Sequence, residues 1–227
     1  MHATERTGIR FVLTNCADPA RRKDFDDWYD LYAANILFPG LLVNCYRFHN
    51  PGAAGTDEDP GFAAIYDFVA TDLASAWSRT EHDARYPKKL FGDPRSELVQ
   101  APLRGTYALS SSRGTAAGDL RLTGITLLMS DGELDASRAD WGNALVDTGL
   151  VTAASRFRLV EGEPSPARWL EVFETGDADP GAAFARAVEL VGPGPAGGLA
   201  ERYRASFLFH SVLGAPEKMG AYGMAAE

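Results

Sequence analysis

Three of the four histidines fall inside regular elements and offer the clearest acid–base chemistry of this sequence. His49 ends a strand-like run, His82 lies near the end of a helical pattern, and His210 lies in the last strand-like run. An imidazole titrates near neutral pH, so each could donate or accept a proton. For each, a neutral side chain hydrogen-bonded within the core is the alternative. No HxH, HExxH or CxxC pattern occurs, so the sequence predicts no metal site.

Polar residues that interrupt apolar strand runs are a second group of candidates. They are Asn15, Asn44, Tyr66, Asp67 and Glu171. Burying a polar side chain costs free energy unless a partner compensates it, and small-molecule pockets are apolar with a few such groups. Arg47 and Arg156 could pair with these carboxylates or clamp an anionic ligand. A simply solvated sheet edge is the other interpretation.

The elements that must position these side chains follow a β-α-β-β-α-β order in the first half. Alternating patterns predict strands over 9–16, 40–48, 62–70 and 105–110. The first helix begins at Asp18-Pro19 and ends at Pro39-Gly40, and its apolar stripe includes Trp28 and Tyr29. The second helix begins at Thr71 or Asp72, ends at Tyr86-Pro87 and turns Trp77 inward.

The second half repeats this order. Strands are predicted over 122–130, 149–157, 167–174 and 201–212, with a helix marked by Leu134, Trp141 and Leu145 and another beginning at Asp179-Pro180. The small, polar stretch 110–118 is typical of a flexible linker. The predicted organisation is a first repeat at 1–112, a linker at 113–118, a second repeat at 119–213 and a tail at 214–227.

Sparse identities between the halves keep their register. Asp27-Trp28 corresponds to Asp140-Trp141 at an offset of 113, Arg47-Phe48 to Arg156-Phe157 at 109, and Phe68 to Phe173 at 105. Each drop of four fits one helical turn or one shorter loop, as a duplication requires. The prediction is an α+β chain of two ferredoxin-like repeats whose open sheet faces meet in a closed, barrel-like pair of sheets.

Several residues of the first half resemble the dimeric α/β-barrel superfamily, especially its EthD-like members. They are Trp28-Tyr29-Asp30, Pro39-Gly40, Arg47-Phe48 and the segment TEHDARYPKKLF at 80–91. The resemblance implies an intramolecular dimeric α/β-barrel. The superfamily contains polyketide cyclases, lyases, isomerases, cofactor-independent monooxygenases and heme enzymes. Many members carry a histidine where this chain has Ala33, so acid–base roles of that histidine do not transfer.

Composition excludes several other classes. With 22 basic and 31 acidic residues the formal charge is −9, which disfavours nucleic acid and anionic membranes as partners. No apolar run could span a bilayer, no signal peptide is recognisable, and the cysteines are only Cys16 and Cys45, so a cytoplasmic location is predicted. GxSxG and Walker motifs do not occur. The stretch GPGPAG at 192–197 fits GxGxxG, but it contains prolines and follows a helical pattern instead of a strand, so no phosphate-binding loop is predicted there.

The function predicted from these features is a small-molecule enzyme acting on a hydrophobic aromatic or polyketide-like substrate. The reaction would be a cofactor-free cyclisation, isomerisation or elimination in a pocket of the first repeat, with His82 and Tyr66 as catalytic residues. Predicted substrate contacts are Asn15, Trp28, Tyr29, Asn44, Arg47, His49, Trp77 and His210. A homodimer is possible. The alternatives are a non-catalytic carrier, a cofactor-independent monooxygenase and, third, a heme protein with His82 or His210 as ligand.

Overall fold

A computed structural model describes residues 6–37, 40–83, 95–114, 122–132, 136–163, 166–195 and 201–214. The strands are β1 (Gly8–Cys16), β2 (Leu42–His49), β3 (Phe62–Phe68), β4 (Val99–Gly114), β5 (Gly124–Ser130), β6 (Ala153–Glu163), β7 (Trp169–Thr175) and β8 (Glu201–Gly214). The helices are α1 (Arg22–Leu37), α2 (Leu73–Asp83), the single turn α3 (Arg95–Leu98), α4 (Ala136–Asp147) and α5 (Pro180–Val191). The predicted α+β class is confirmed.

The strands close into one antiparallel barrel in the order β1-β3-β2-β8-β5-β7-β6-β4. Within this order, the first four strands of the chain are adjacent as β4-β1-β3-β2 and the last four as β8-β5-β7-β6. Two seams, β2–β8 and β4–β6, join these groups edge to edge. The strand edges of each half are therefore satisfied by the other half, which removes free edges from the sheet.

Apolar residues fill the barrel and also form two layers between the sheet and the helices. Inward residues from both halves share one core, among them Phe11, Phe157 and Phe207. One outer layer packs α1 and α2 on the first half, and the other packs α4 and α5 on the second half. The alternation of β1 is as predicted, because Ile9 and Phe11 face inward while Val12 packs on the helix side.

The predicted helix starts are confirmed by their caps. Asp18 accepts a hydrogen bond from the Ala20 amide at 3.0 Å, and a short 3₁₀ turn over Pro19–Arg21 leads into α1. Asp179 caps α5 in the same way, through the Ala182 amide at 2.9 Å. Pro39 lies outside the described residues, but Gly40 has φ +74 and follows the end of α1, as a C-terminal glycine does.

Two details differ from the sequence-based expectations. The serines predicted to open a flexible linker belong to β4, where Ser111 and Ser112 pair with Arg156 and Ser155 of β6. Strand pairing across the seam outweighs the weak local preference of serine. Strict alternation would also put Leu42 and Asn44 on the same face of β2. A register shift between them instead places Leu42 on the helix side, whereas Asn44 pairs with Asp67. Linker residues 115–118 lie outside the described part.

In the described part of the chain, no helix is both long and apolar enough to cross a membrane.

Candidate active site in the second half

A cleft opens between α4 and the strands β4, β6 and β7. The free space between these elements, open solvent included, amounts to about 270 Å³. Its lining residues are Ser111, Ser112, Arg113, Ala139, Gly142, Asn143, Ala154, Ser155, Arg156, Glu171 and Phe173. Arg156 and Glu171 are both among the polar strand residues noted in the sequence, and pairing with a carboxylate is one of the roles considered there for Arg156.

The ion pair is a triad with one carboxylate between two guanidinium groups. Nε and Nη2 of Arg156 donate to Oε1 of Glu171 at 3.3 and 3.0 Å. Nε and Nη2 of Arg138, from α4, donate to Oε2 at 3.0 and 2.8 Å. The Arg156 and Glu171 side chains are only 10% and 4% exposed. Two cations therefore share one anion, and the triad carries a net positive charge in a place of low dielectric.

Gly142 keeps the helix wall of this cleft open. A Cβ atom there would lie 3.9 Å from Ala154 Cβ and 4.0 Å from Phe173 Cε1, which are ordinary contacts. Packing therefore does not require glycine, although glycine inside a helix costs about 1 kcal/mol relative to alanine. The consequence of Gly142 is space beside Phe173 and beneath α4.

The corresponding layer of the first half is closed around Arg47. Its Nη2 donates to Oδ1 of Asp26 at 2.7 Å and its Nη1 to Oδ1 of Asp30 at 2.5 Å, both on α1. The Tyr29 ring lies 4.6 Å from the guanidinium carbon. Arg47 and Tyr29, which the sequence analysis names as substrate contacts, thus lie against each other. Of the two roles weighed for Arg47, the structure shows pairing with carboxylates.

Tyr66 lies in the same first-half layer and is 1% exposed. Burial is the main cause that raises the pKa of Tyr66 well above its usual value, with the Cys45 thiol and Tyr29 hydroxyl adding to it. Burial likewise raises the pKa of Cys45 to about 12. The Tyr66 hydroxyl therefore stays protonated at neutral pH, and its oxygen has no well-formed hydrogen bond.

The structure brings His49 and His210 together at the β2–β8 seam. Their ring centroids are 5.9 Å apart, and His210 Nε2 lies 4.0 Å from Oδ1 of Asp26. A register shift between Arg47 and Phe48 interrupts the ladder here. Burial, followed by the neighbouring His210, lowers the pKa of His49. Among the described residues, no group of three or more histidine, cysteine or acidic side chains could hold a metal ion.

Asn15 lies on β1, away from that seam, whereas Asn44 belongs to the seam and pairs with Gly214 of β8. Asn15 is fully buried, donates to the Thr56 carbonyl at 2.9 Å and accepts from the Gly61 amide at 2.8 Å, so it fixes the β2–β3 loop. Asn44 donates to Oδ2 of Asp67 at 3.4 Å.

The remaining predicted side chains are aromatic or lie outside the description. Trp77 is buried with the Arg10 guanidinium 4.3 Å from its ring centroid. Trp28 stacks on Tyr32 at 5.1 Å. His82 falls within α2, but its side chain lies outside the described residues.

Sequence reasoning did not select Ala139, Gly142 or Asn143 as site residues, although a signal for them exists. At the offset of 113 that aligns Trp28 with Trp141, these three correspond to Asp26, Tyr29 and Asp30. Small or neutral residues at those positions are inconspicuous alone. They become informative only beside the charged and aromatic residues of the other half.

Comparison with known proteins gives structural neighbours only. No family model matches the chain, and no curated protein matches it. A protein described as a candidate monooxygenase from Fusobacterium nucleatum subsp. nucleatum has a TM-score of 0.58 at 9% identity, covering 94% of this chain and 96% of its own. An anthrone oxidase-like protein has a TM-score of 0.53 at 9% identity, with 95% and 96% covered. A heme-binding protein from Thermus thermophilus has a TM-score of 0.54 at 8% identity, with 96% and 95% covered.

This chain has the dimeric α/β-barrel fold. The three neighbours match over nearly their whole length within a single chain, so the likeness extends over both halves of this protein. At these identities the likeness concerns the fold, and activity must be argued from the site.

The cleft is a poor match to the needs of a heme. Heme iron takes an axial histidine, cysteine, methionine or tyrosine, and the described cleft lining contains none of these. His210 lies instead at the β2–β8 seam beside His49 and Asp26.

Proposed function

We propose that this protein is a small-molecule enzyme, acting without a cofactor on a hydrophobic aromatic or polyketide-like substrate, with its site in the cleft beneath α4. The observation that carries the proposal is that Gly142 leaves space beside a buried, net positive triad. The Nη1 group of Arg156 is not used by Glu171. A fixed cation stabilises negative charge that develops on a substrate oxygen, as in enolate-forming cyclisation, isomerisation or elimination.

The proposal includes the tandem organisation expected from the sequence, with two ferredoxin-like repeats of an EthD-like type. Support comes from the matching strand orders of the two halves and from the in-register identities at Trp28/Trp141 and Arg47/Arg156. The site belongs to the second repeat in this proposal, because the first-repeat layer around Arg47 is occupied by Tyr29 and two carboxylates.

A cofactor-independent monooxygenase is the second candidate. Two structural neighbours are described as anthrone oxidase-like and as a candidate monooxygenase. The two candidates share the need to stabilise a substrate oxyanion and differ in the need for dioxygen.

The test incubates the purified protein with a panel of hydroxylated aromatic ketones and polyketide-like phenols, in air and under nitrogen, with products followed by mass spectrometry. Gly142→Leu would fill the cleft, whereas Gly142→Ala adds one methyl group at ordinary contact distance and serves as the matched control. We expect turnover by the wild-type protein, partial turnover by Gly142→Ala and a loss of at least tenfold in Gly142→Leu with an unchanged circular dichroism spectrum. Product formation only in air selects the monooxygenase.

Equal turnover by folded Gly142→Leu would place the reaction elsewhere. Ligand recovered bound and unchanged in every reaction would favour the carrier instead. The catalytic roles of His82 and Tyr66, a homodimer and a cytoplasmic location stay predictions. The variants His82→Ala and Tyr66→Phe, assayed on the same panel, test the two catalytic roles.

A further inference from the structure

Arg47 and Arg156 occupy corresponding strand positions but have different partners on the neighbouring helix. Asp26, Tyr29 and Asp30 of α1 surround Arg47. The corresponding residues of α4 are Ala139, Gly142 and Asn143, and all three line the cleft beside Arg156. Two carboxylates and one aromatic ring of the first half are thus replaced by a methyl group, a hydrogen atom and a neutral amide.

Because α4 lacks these carboxylates, the Nη1 group of Arg156 has no carboxylate partner among the described residues. In the first half, Nη1 of Arg47 donates to the carboxylate of Asp30. In the described part of the chain, no carboxylate bonds Nη1 of Arg156, because Glu171 takes only Nε and Nη2. Glu171 also accepts from Arg138, so within the triad one carboxylate faces two guanidinium groups.

We infer that the cleft binds a small aromatic carboxylic acid as its carboxylate. Its anionic group lies against Nη1 of Arg156, the donor whose counterpart in Arg47 bonds the Asp30 carboxylate. Its ring occupies the space that the Tyr29 ring fills in the first half, next to Phe173. In the first half, the Asp30 carboxylate and the Tyr29 ring supply these two groups; in the second half, the bound ligand supplies them. This inference rests on the proposed function for its site and adds the class of ligand.

The charge of the site agrees with this ligand. A carboxylate bonded to a guanidinium is among the stronger polar contacts in proteins, and the net positive triad lowers the cost of burying an anion. The chain carries a formal charge of −9, so the triad differs in sign from the molecule around it.

The decisive variant is Asn143→Asp, which places a carboxylate where Asp30 stands in the first half and changes the side chain by one polar atom. Benzoate and 2-naphthoate serve as probes, with benzamide as the neutral analogue, and binding is followed by titration calorimetry and ligand-observed NMR at low salt. We expect the carboxylates to bind and benzamide to bind at least tenfold more weakly. We expect Asn143→Asp and Arg156→Gln to weaken carboxylate binding about tenfold or more.

Asn143→Ala is the matched control, because it removes the amide without adding charge, and it should retain most of the affinity. Melting curves of every variant show whether the fold is kept, and Asn143→Asp stays informative if Arg156→Gln does not fold. Equal affinity for benzoate and benzamide, or unchanged binding in folded Asn143→Asp, would overturn the inference. Carboxylate binding without turnover of any panel substrate supports the inference and counts against the enzyme. Turnover of the neutral panel substrates without any carboxylate binding would support the enzyme and overturn the inference.

Discussion

Single residues decide which of the two outer layers can accept a ligand. Tyr29 covers Arg47 in the first half, whereas Gly142 leaves Arg156 accessible in the second. Glu171 then supplies the counter-charge from a strand, where the first half uses Asp26 and Asp30 from a helix. The difference in charge follows from these exchanges, since each guanidinium is otherwise held in the same position of the sheet.

Asn15 offers a prediction at this scale, because its position argues for stability. Asn15→Ala removes two buried hydrogen bonds that hold the β2–β3 loop at Thr56 and Gly61. We expect the free energy of unfolding to fall by about 1–3 kcal/mol, measured by urea denaturation. Asn143→Ala, in the cleft, is the comparison and should change stability by less than about 0.5 kcal/mol. If Asn15→Ala has normal stability but no longer binds substrate, Asn15 contacts the ligand, as the sequence analysis predicts.

At the scale of elements, the β2–β8 seam is where strands from the two halves meet with a register shift. The shift lies beside His49 and His210, and α1 contributes Arg22 and Asp26 to their surroundings. Arg47 of β2 bonds the same Asp26. Protonation of His49 would add a positive charge beside His210 and Arg22, both of which help to lower its pKa, so acid pH should weaken this seam in particular.

The pH dependence of stability follows from the lowered pKa of His49. The unfolded chain takes up the proton near pH 6.5, whereas the folded protein resists it to lower pH. Between these values the unfolded state binds more protons, so stability is full above about pH 6.5 and is lost as the pH falls toward the folded pKa. Urea midpoints measured from pH 7.5 to 5 should therefore decrease. His49→Gln should flatten the decrease, and a slope equal to that of the wild type would exclude His49 as its source.

At the scale of the whole molecule, the barrel depends on contacts that only both halves together can make. Arg6 illustrates this, since its Nη1 donates to Asp67 of β3 at 3.2 Å and its Nη2 to Ser155 of β6 at 2.8 Å. Burial raises the pKa of Asp67, an effect that Arg6 and Asn44 oppose. The inner core likewise mixes Phe11 from the first half with Phe157 from the second.

A fragment of residues 1–114 tests this dependence. It would expose the edges of β2 and β4 and the inward face of its sheet, all of which the second half covers. We expect it to associate with a second copy or to remain unfolded, as shown by light scattering and circular dichroism. A stable, folded monomer would contradict the view that the halves fold as one unit.

The sequence alone determined features that depend on near neighbours along the chain. Asp18-Pro19 and Asp179-Pro180 set helix starts because a cap and the first turn lie within four residues. Alternation placed Phe11 and Val12 on opposite faces of β1. The identities between the halves, together with the resemblance of 80–91 and Trp28-Tyr29-Asp30 to a known superfamily, predicted a closed barrel. It also selected Arg156 and Glu171, because charges within apolar strands need partners wherever they fold.

Only the tertiary structure decided which strands form the seams, where the bulge falls and which half is open. Ser111 becomes a strand residue because β6 lies beside it, and His49 meets His210 because two distant edges pair. The cleft itself arises where Gly142 lacks a side chain, and an absent side chain gives no signal until its neighbours in space are known. These outcomes depend on contacts between residues far apart in the chain, whose free energies no local pattern specifies.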